Sequence, residues 1–212
     1  MTPLDIWSDP ICPWCHIGKT ALDRALESRP DHPFAVAWHP FQLNPDMPPE
    51  GMARDAYLAL KFGDAQGILN AYRPVVERAE AEGVALNLPA IARTPNTLDA
   101  HRLIHWAGIE GRQTAMVATL FRACFQDGQD IGDRATLTDL AATAGMDRAL
   151  AARMLASDAD RDTIAQADRE ARARGITGVP FFVIGGELAV SGAQTTAFWQ
   201  QLIDELTAQA AQ

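Results

Sequence analysis

Leu4-Asp5-Ile6-Trp7, a short apolar run, leads into Cys12-Pro13-Trp14-Cys15, two thiols one helical turn apart. Cys12 falls where a helix N-cap belongs, and Pro13 at the first helical position, where its missing N–H costs nothing. Trp14, Ile17, Ala21, Leu22, Ala25 and Leu26 recur at three- and four-residue spacing, which predicts an amphipathic helix over residues 13–28. A thiol at the start of that helix meets unpaired backbone N–H groups and the positive end of the helix dipole, and both favour its thiolate. The spacing therefore predicts a redox dithiol, with Cys12 at the exposed helix end as nucleophile and Cys15, one turn inside, as resolving thiol. It does not set the direction of exchange.

Other chemistries fit the same residues less well. Cys12, Cys15, His16 and His39 could be drawn as a zinc site, but structural zinc usually uses a second paired motif, and the chain has none. No metal is expected. Cys12 through His16 also matches the pattern for covalent haem attachment, which follows export, and the N-terminus lacks the basic start and long apolar run of an export signal. An inert buried thiol pair leaves the Pro13-Trp14 filler unexplained.

The far end of the chain points the same way. Gly178-Val179-Pro180 precedes Phe181-Phe182-Val183-Ile184, a short apolar run with strand character, and proline at that place invites a cis Val179–Pro180 bond. Gly185-Gly186 turns the chain into Glu187-Leu188-Ala189-Val190, and a last helix over about 195–208 carries Phe198, Leu202, Ile203 and Leu206 on one side. With the strand expected from Phe34 to Phe41, these pieces make a strand–helix–strand unit and a strand–strand–helix unit. They are the two halves of an α/β, thioredoxin-like fold, in which a cis-proline loop lies against the dithiol and Val179 would offer its backbone to substrate.

Between the halves, residues 53–145 read as successive helices with no strand signal, so a large α-helical subdomain is expected as an insertion. The expected organisation is 1–45 for the first part of the thioredoxin-like domain, 46–149 for the helical insertion and 150–212 for the second part. Asp147 and Asp158 are the expected N-caps of two returning helices. Pro74 is expected to kink or restart the helix around it.

C-P-W-C after the first strand, a helical insertion, a G-V-P loop and Ser191-Gly192-Ala193-Gln194 together resemble the DsbA-like thiol-disulfide oxidoreductases, in particular their cytosolic FrnE-type branch. Thr94-Pro95-Asn96-Thr97 and Phe121 through Phe125 resemble stretches of that branch. The resemblance implies exchange of disulfides with protein or small thiol substrates, a site of Cys12 and Cys15 rimmed by Pro13, Trp14, Val179 and Pro180, no cofactor, and glutathione as a redox partner. It also implies a groove role for Asn96, which the residues alone read as a helix N-cap. Kappa-class glutathione transferases and 2-hydroxychromene-2-carboxylate isomerases share the resemblance but usually carry serine in place of Cys12 and lack the second cysteine. A glutathione-dependent isomerase or transferase is thus one alternative, and a non-enzymatic redox sensor or peptide-binding module another.

The 212 residues can bury a sizeable core without structural disulfides, and a net charge of −9 disfavours nucleic acid and anionic membrane surfaces as partners. A cytoplasmic setting is expected, where a C-x-x-C pair is more often catalytic than structural. A homodimer would be the commonest soluble assembly. Cys124 lies on an apolar helical stripe and reads as a buried structural thiol; His101 and His105, four residues apart, read as ordinary helix residues. His16, close to Cys15, reads either as a cation supporting the Cys12 thiolate or as a surface histidine.

Overall fold

A computed structural model describes residues 1–210. Thr2–Ser8 forms β1, Pro13–Glu27 forms α1 and Phe34–Pro40 forms β2, parallel to β1 with Ile6 opposite Trp38. The chain then leaves the sheet through Met52–Ala53 (β3), Arg54–Phe62 (α2), Ala65–Ala81 (α3), Arg93–Thr94 (β4), Leu98–Ile109 (α4), Gln113–Phe125 (α5), Arg134–Thr143 (α6) and Arg148–Ala156 (α7). It returns through Arg161–Ala173 (α8) to Phe181–Ile184 (β5), Leu188–Ser191 (β6) and Thr196–Ala210 (α9). The four longer strands make one mixed sheet in the order β2-β1-β5-β6, with β5 antiparallel to both of its neighbours. This is the expected α/β, thioredoxin-like architecture with a large inserted helical layer.

Strand alternation divides the core. Leu4 and Ile6 of β1 join Ala21 and Leu22 of α1 and Trp199 and Ile203 of α9, whereas Trp7 and Phe41 pack with Ala171 and Ile176 around the end of α8. The inserted helices share the first of these clusters through Leu103, Leu120, Phe121 and Phe125, so insertion and sheet bury one continuous core. They also close the sheet's edge. Gln113 at the start of α5 accepts from the Trp38 N–H at 2.9 Å and donates to the Trp38 carbonyl at 3.0 Å, acting as a short stand-in for the missing neighbour of β2.

Several local expectations change. β3 and β4 pair within the segment expected to lack strands, Met52 opposite Thr94 and Ala53 opposite Arg93. Two residues per strand carry no readable period, and their pairing is set by contacts forty residues apart in the chain. Asp147 caps α7 as expected by accepting from the Leu150 N–H at 2.7 Å. Asp158 does not cap α8: Asp160 occupies that position at φ 58°, and its carboxylate accepts instead from the Trp106 indole N–H at 2.8 Å. The boundary expected at 149 falls inside α7, which packs on α6 and so continues the helical layer to Ala156. Pro74 sits within an α3 that runs unbroken from Ala65 to Ala81.

Candidate active site

Cys12 occupies the N-cap of α1 in an extended conformation, with Pro13 next in the helix, and its carbonyl accepts from the backbone N–H of Cys15 at 3.0 Å and of His16 at 3.2 Å. Pro13 has no N–H to orphan, so the turn begins cleanly at Cys12. Across from it the Val179–Pro180 bond is cis, and the Cys12 Sγ donates to the Val179 carbonyl at 3.6 Å. Gly18 permits this approach, since a Cβ there would meet Pro180 Cγ at 3.3 Å. Sequence places these segments 167 positions apart; the sheet brings them into contact.

Cys12 is far less open than a helix end suggests. It is 3% exposed, covered by the Val179 loop and the inserted helices, and is reached through a pocket of about 280 Å³. Pro13, Trp14 and Val179 line that pocket with Cys12, while Pro180 is buried against α1 behind it. Asn96 does not join them. It lines a separate cavity with Asp99, Arg134 and Arg161, donates to the Met47 carbonyl at 2.6 Å and accepts from the Leu98 N–H at 2.9 Å. Thr97 is the N-cap of α4, so Asn96 caps that helix from one residue earlier and ties the linker before β3 to it.

The two thiols have different environments. Cys15 is wholly buried, and burial, then its neighbour Cys12, hold its thiol well above the ordinary range; hydrogen bonds from Ser8 and the Asp9 backbone offset part of this. Cys15 therefore stays protonated at neutral pH. Beneath the loop, fully buried Asp9 accepts from the Leu43 N–H at 2.6 Å and lies 3.7 Å from the His101 ring, fastening the turn before Cys12 to the segment after β2. Cys124 is buried as expected, and burial pushes its thiol up to about 12.

His16 is neither a cation nor a surface residue. Its ring stacks on Phe125 at 5.4 Å and lies 5.4 Å from Phe121, neither ring nitrogen makes a hydrogen bond of normal geometry, and burial, reinforced by nearby Lys19 and only partly offset by the Ala85 backbone, lowers its pKa to about 4. It is neutral at pH 7 and lends Cys12 no positive charge. Because the unfolded chain binds the His16 proton near pH 6.5 and the folded one only near 4, stability is full above the unfolded value and falls as pH drops through this window. The fall amounts to roughly 3 kcal/mol. His16→Leu is expected to flatten urea-unfolding stability between pH 6.5 and 4 relative to the wild type; an unchanged slope would contradict the assignment.

His39, offered above as a metal ligand, instead pairs with Asp5 at 2.7 Å and stacks on Trp7 at 4.7 Å. Among the described residues no group of three or more His, Cys, Asp or Glu side chains is placed to hold a metal ion.

The polar part of the remaining pocket wall comes largely from α2 and α3 and was not anticipated: Arg54, Tyr57, Lys61 and Tyr72. Tyr57 and Lys61 share a face at i, i+4, which was visible; that this face looks onto Cys12 was not.

A dithiol at a helix N-terminus, a cis-proline loop against it and a helical layer inserted into the sheet identify a fold shared with known oxidoreductases. The model of the DSBA-like thioredoxin domain matches residues 3–204. The chain belongs to the DSBA-like thioredoxin domain family. A probable DsbA oxidoreductase of Streptomyces coelicolor is 31% identical, with a TM-score of 0.83 over 97% of this chain and 89% of that one. YwbO, an uncharacterized protein of Bacillus subtilis, is 29% identical over 95% of this chain and 96% of its own length. Two structures at 18% identity share the fold: a 2-hydroxychromene-2-carboxylate isomerase, with a TM-score of 0.74 over 99% of this chain and 98% of that one, and the cytosolic disulfide reductase DsbM of Pseudomonas aeruginosa with GSH, with a TM-score of 0.71 over 97% and 99%. Membership implies thiol or disulfide substrates. Among the described residues, no helix of this DSBA-like chain is long and apolar enough to cross a membrane.

Proposed function

We propose that this DSBA-like protein is a thiol-disulfide oxidoreductase in which Cys12 is the nucleophile and Cys15 the resolving thiol. The asymmetry of the two sulfurs carries the reading: Cys12 lines the pocket at a helix N-terminus, whereas Cys15 is sealed behind it and held as the thiol. In the reducing direction the Cys12 thiolate attacks a substrate disulfide R–S–S–R, forming Cys12–S–S–R and releasing RS⁻. Cys15 then gives up its proton, attacks the Cys12 sulfur and expels the second RS⁻, leaving the Cys12–Cys15 disulfide. Two equivalents of a small thiol restore the dithiol and are themselves joined as a disulfide. The oxidising direction is the reverse of these steps.

Glutathione suits the part of the small thiol, as the DsbM structure with GSH on the same fold supports, and a cytoplasmic setting accords with a dithiol kept for chemistry. With excess dithiothreitol as reductant, the protein is expected to accelerate reduction of the neutral substrate 2-hydroxyethyl disulfide well beyond the uncatalysed rate; no acceleration overturns the reading. The isomerase fold similarity supports one other activity, glutathione-dependent isomerisation. Saturable glutathione binding after replacement of both Cys12 and Cys15, together with no exchange by the intact dithiol, would favour it.

A further inference from the structure

The wall facing Cys12 carries aromatic and cationic side chains. Both tyrosines of the chain, Tyr57 and Tyr72, stand on it beside two cations, Arg54 and Lys61. Arg54 donates to the Tyr72 hydroxyl at 2.6 Å; Lys61 donates to the Tyr57 hydroxyl at 2.8 Å, which in turn donates to Asn44 Oδ1 at 3.1 Å. The phenols thus hold both cations in place without neutralising them. No carboxylate lines this pocket, and among the described residues neither Arg54 nor Lys61 is in an ion pair. In a protein of net charge −9, two unpaired cations facing one concave site mark a place where negative charge is wanted.

Size narrows the choice. Cys12 is 3% exposed and is reached through about 280 Å³, just under the ~300 Å³ lower end of ordinary small-molecule pockets. An opening of this size suits one half of a small disulfide better than a disulfide held on a folded protein surface. We infer that the dithiol pocket selects small disulfides bearing carboxylates, with Arg54 and Lys61 as the specificity-determining residues and Tyr57 and Tyr72 positioning them. The inference rests on the disulfide-exchange reading above and adds its substrate class. The substrate R–S–S–R leaves as two RSH, and the Cys12–Cys15 disulfide so formed is reduced by two equivalents of a small thiol.

The test is a charge series run under one reductant, dithiothreitol: 3,3′-dithiodipropionate with two carboxylates, neutral 2-hydroxyethyl disulfide, and cystamine with two ammonium groups. The wild type is expected to rank them in that order in kcat/KM, by about tenfold per step, as charge-assisted hydrogen bonds give. Added salt is expected to compress the series. The double variant Arg54→Gln, Lys61→Gln is expected to bring the dianion-to-neutral ratio to about unity. Lys61→Gln alone, at an exposed side chain, is expected to lower the ratio part-way. A wild-type dianion-to-neutral ratio at or below one, or a ratio unmoved in the folded single and double variants, overturns the inference. Faster reduction of insulin than of the dianion overturns its size argument. Turnover of all three small disulfides at equal rates sinks charge selection and leaves the exchange reading standing; turnover of none sinks both.

Discussion

Cys12→Ser is expected to abolish disulfide exchange, while Cys15→Ser is expected to keep the first attack and stop at a mixed disulfide. A serine hydroxyl at the N-cap of α1 keeps the helix start but cannot exchange with sulfur, so loss of at least ~10³ in kcat/KM is expected, about 4 kcal/mol of transition-state stabilisation. Neither remaining thiol replaces it. Cys15 is wholly buried with its thiol held protonated, and Cys124 is buried with its thiol pushed up to about 12. In Cys15→Ser the Cys12 thiolate still attacks, but no second thiol displaces the substrate, and the adduct accumulates as a covalent mass increase equal to one half of the disulfide. Cys124→Ala serves as the control and is expected to retain exchange. Turnover by Cys12→Ser, or a mixed disulfide resolved at the wild-type rate in Cys15→Ser, would contradict the assigned order of attack.

The largest effect on stability is expected at Arg102. Its side chain is fully buried and its guanidinium donates to four acceptors: the carbonyls of Ala159 at 2.7 Å, Met154 at 2.8 Å and Ser157 at 2.9 Å, and Asp99 Oδ1 at 2.8 Å. It also lies over the Trp106 ring at 4.8 Å. The three carbonyls belong to the end of α7 and the turn into α8, so one side chain satisfies the backbone where the helical layer hands over to the returning helix. Arg102→Met keeps the volume and removes every donor. Asp99 retains Arg161 at 3.0 Å and Arg134 at 3.1 Å, and the Met154 carbonyl retains the Ser157 N–H at 3.1 Å and hydroxyl at 2.8 Å, but the Ser157 and Ala159 carbonyls lose their guanidinium donor. A loss of ~3–5 kcal/mol is expected, a large share of the ~5–15 kcal/mol available to a typical domain. Urea unfolding reads it as a lowered midpoint. Arg102→Lys, with a point charge in place of a planar fork, is expected to recover only part of it. A loss under ~1 kcal/mol for Arg102→Met would show that the carbonyls find water or other partners.

Fold and site were legible to different depths. The sheet could be read because each piece carries its own short-range signal: Cys12-Pro13-Trp14-Cys15 starts α1, and Val179-Pro180 leads into the β5–β6 hairpin. The reach of Cys12 could not be read, because the Val179 loop expected beside it is joined by α2 and α3, which no short-range signal places over the site. His16 was misjudged for the same reason. Its neutral state follows from Phe121 and Phe125 closing over it, and nothing within a few residues of His16 announces them. Arg54, Tyr57, Lys61 and Tyr72 are unremarkable in their own helices and gain meaning only from the surface they face. Asn96 was legible as a capping residue and not as a pocket residue, since its side chain is spent on Met47 and Leu98.

The central claim is that Cys12 and Cys15 form one reversible dithiol-disulfide couple, and a redox titration in glutathione buffers tests it most directly. Trp14 lies between the two sulfurs in the chain and lines their pocket, so intrinsic fluorescence reports the state, with Trp14→Phe as control. A single reversible two-electron transition is predicted, between thioredoxin's ~−270 mV and the ~−120 mV of a strong dithiol oxidant, and absent in Cys12→Ser and Cys15→Ser alike. A chain that shows no reversible transition, or one that survives either substitution, contradicts the account.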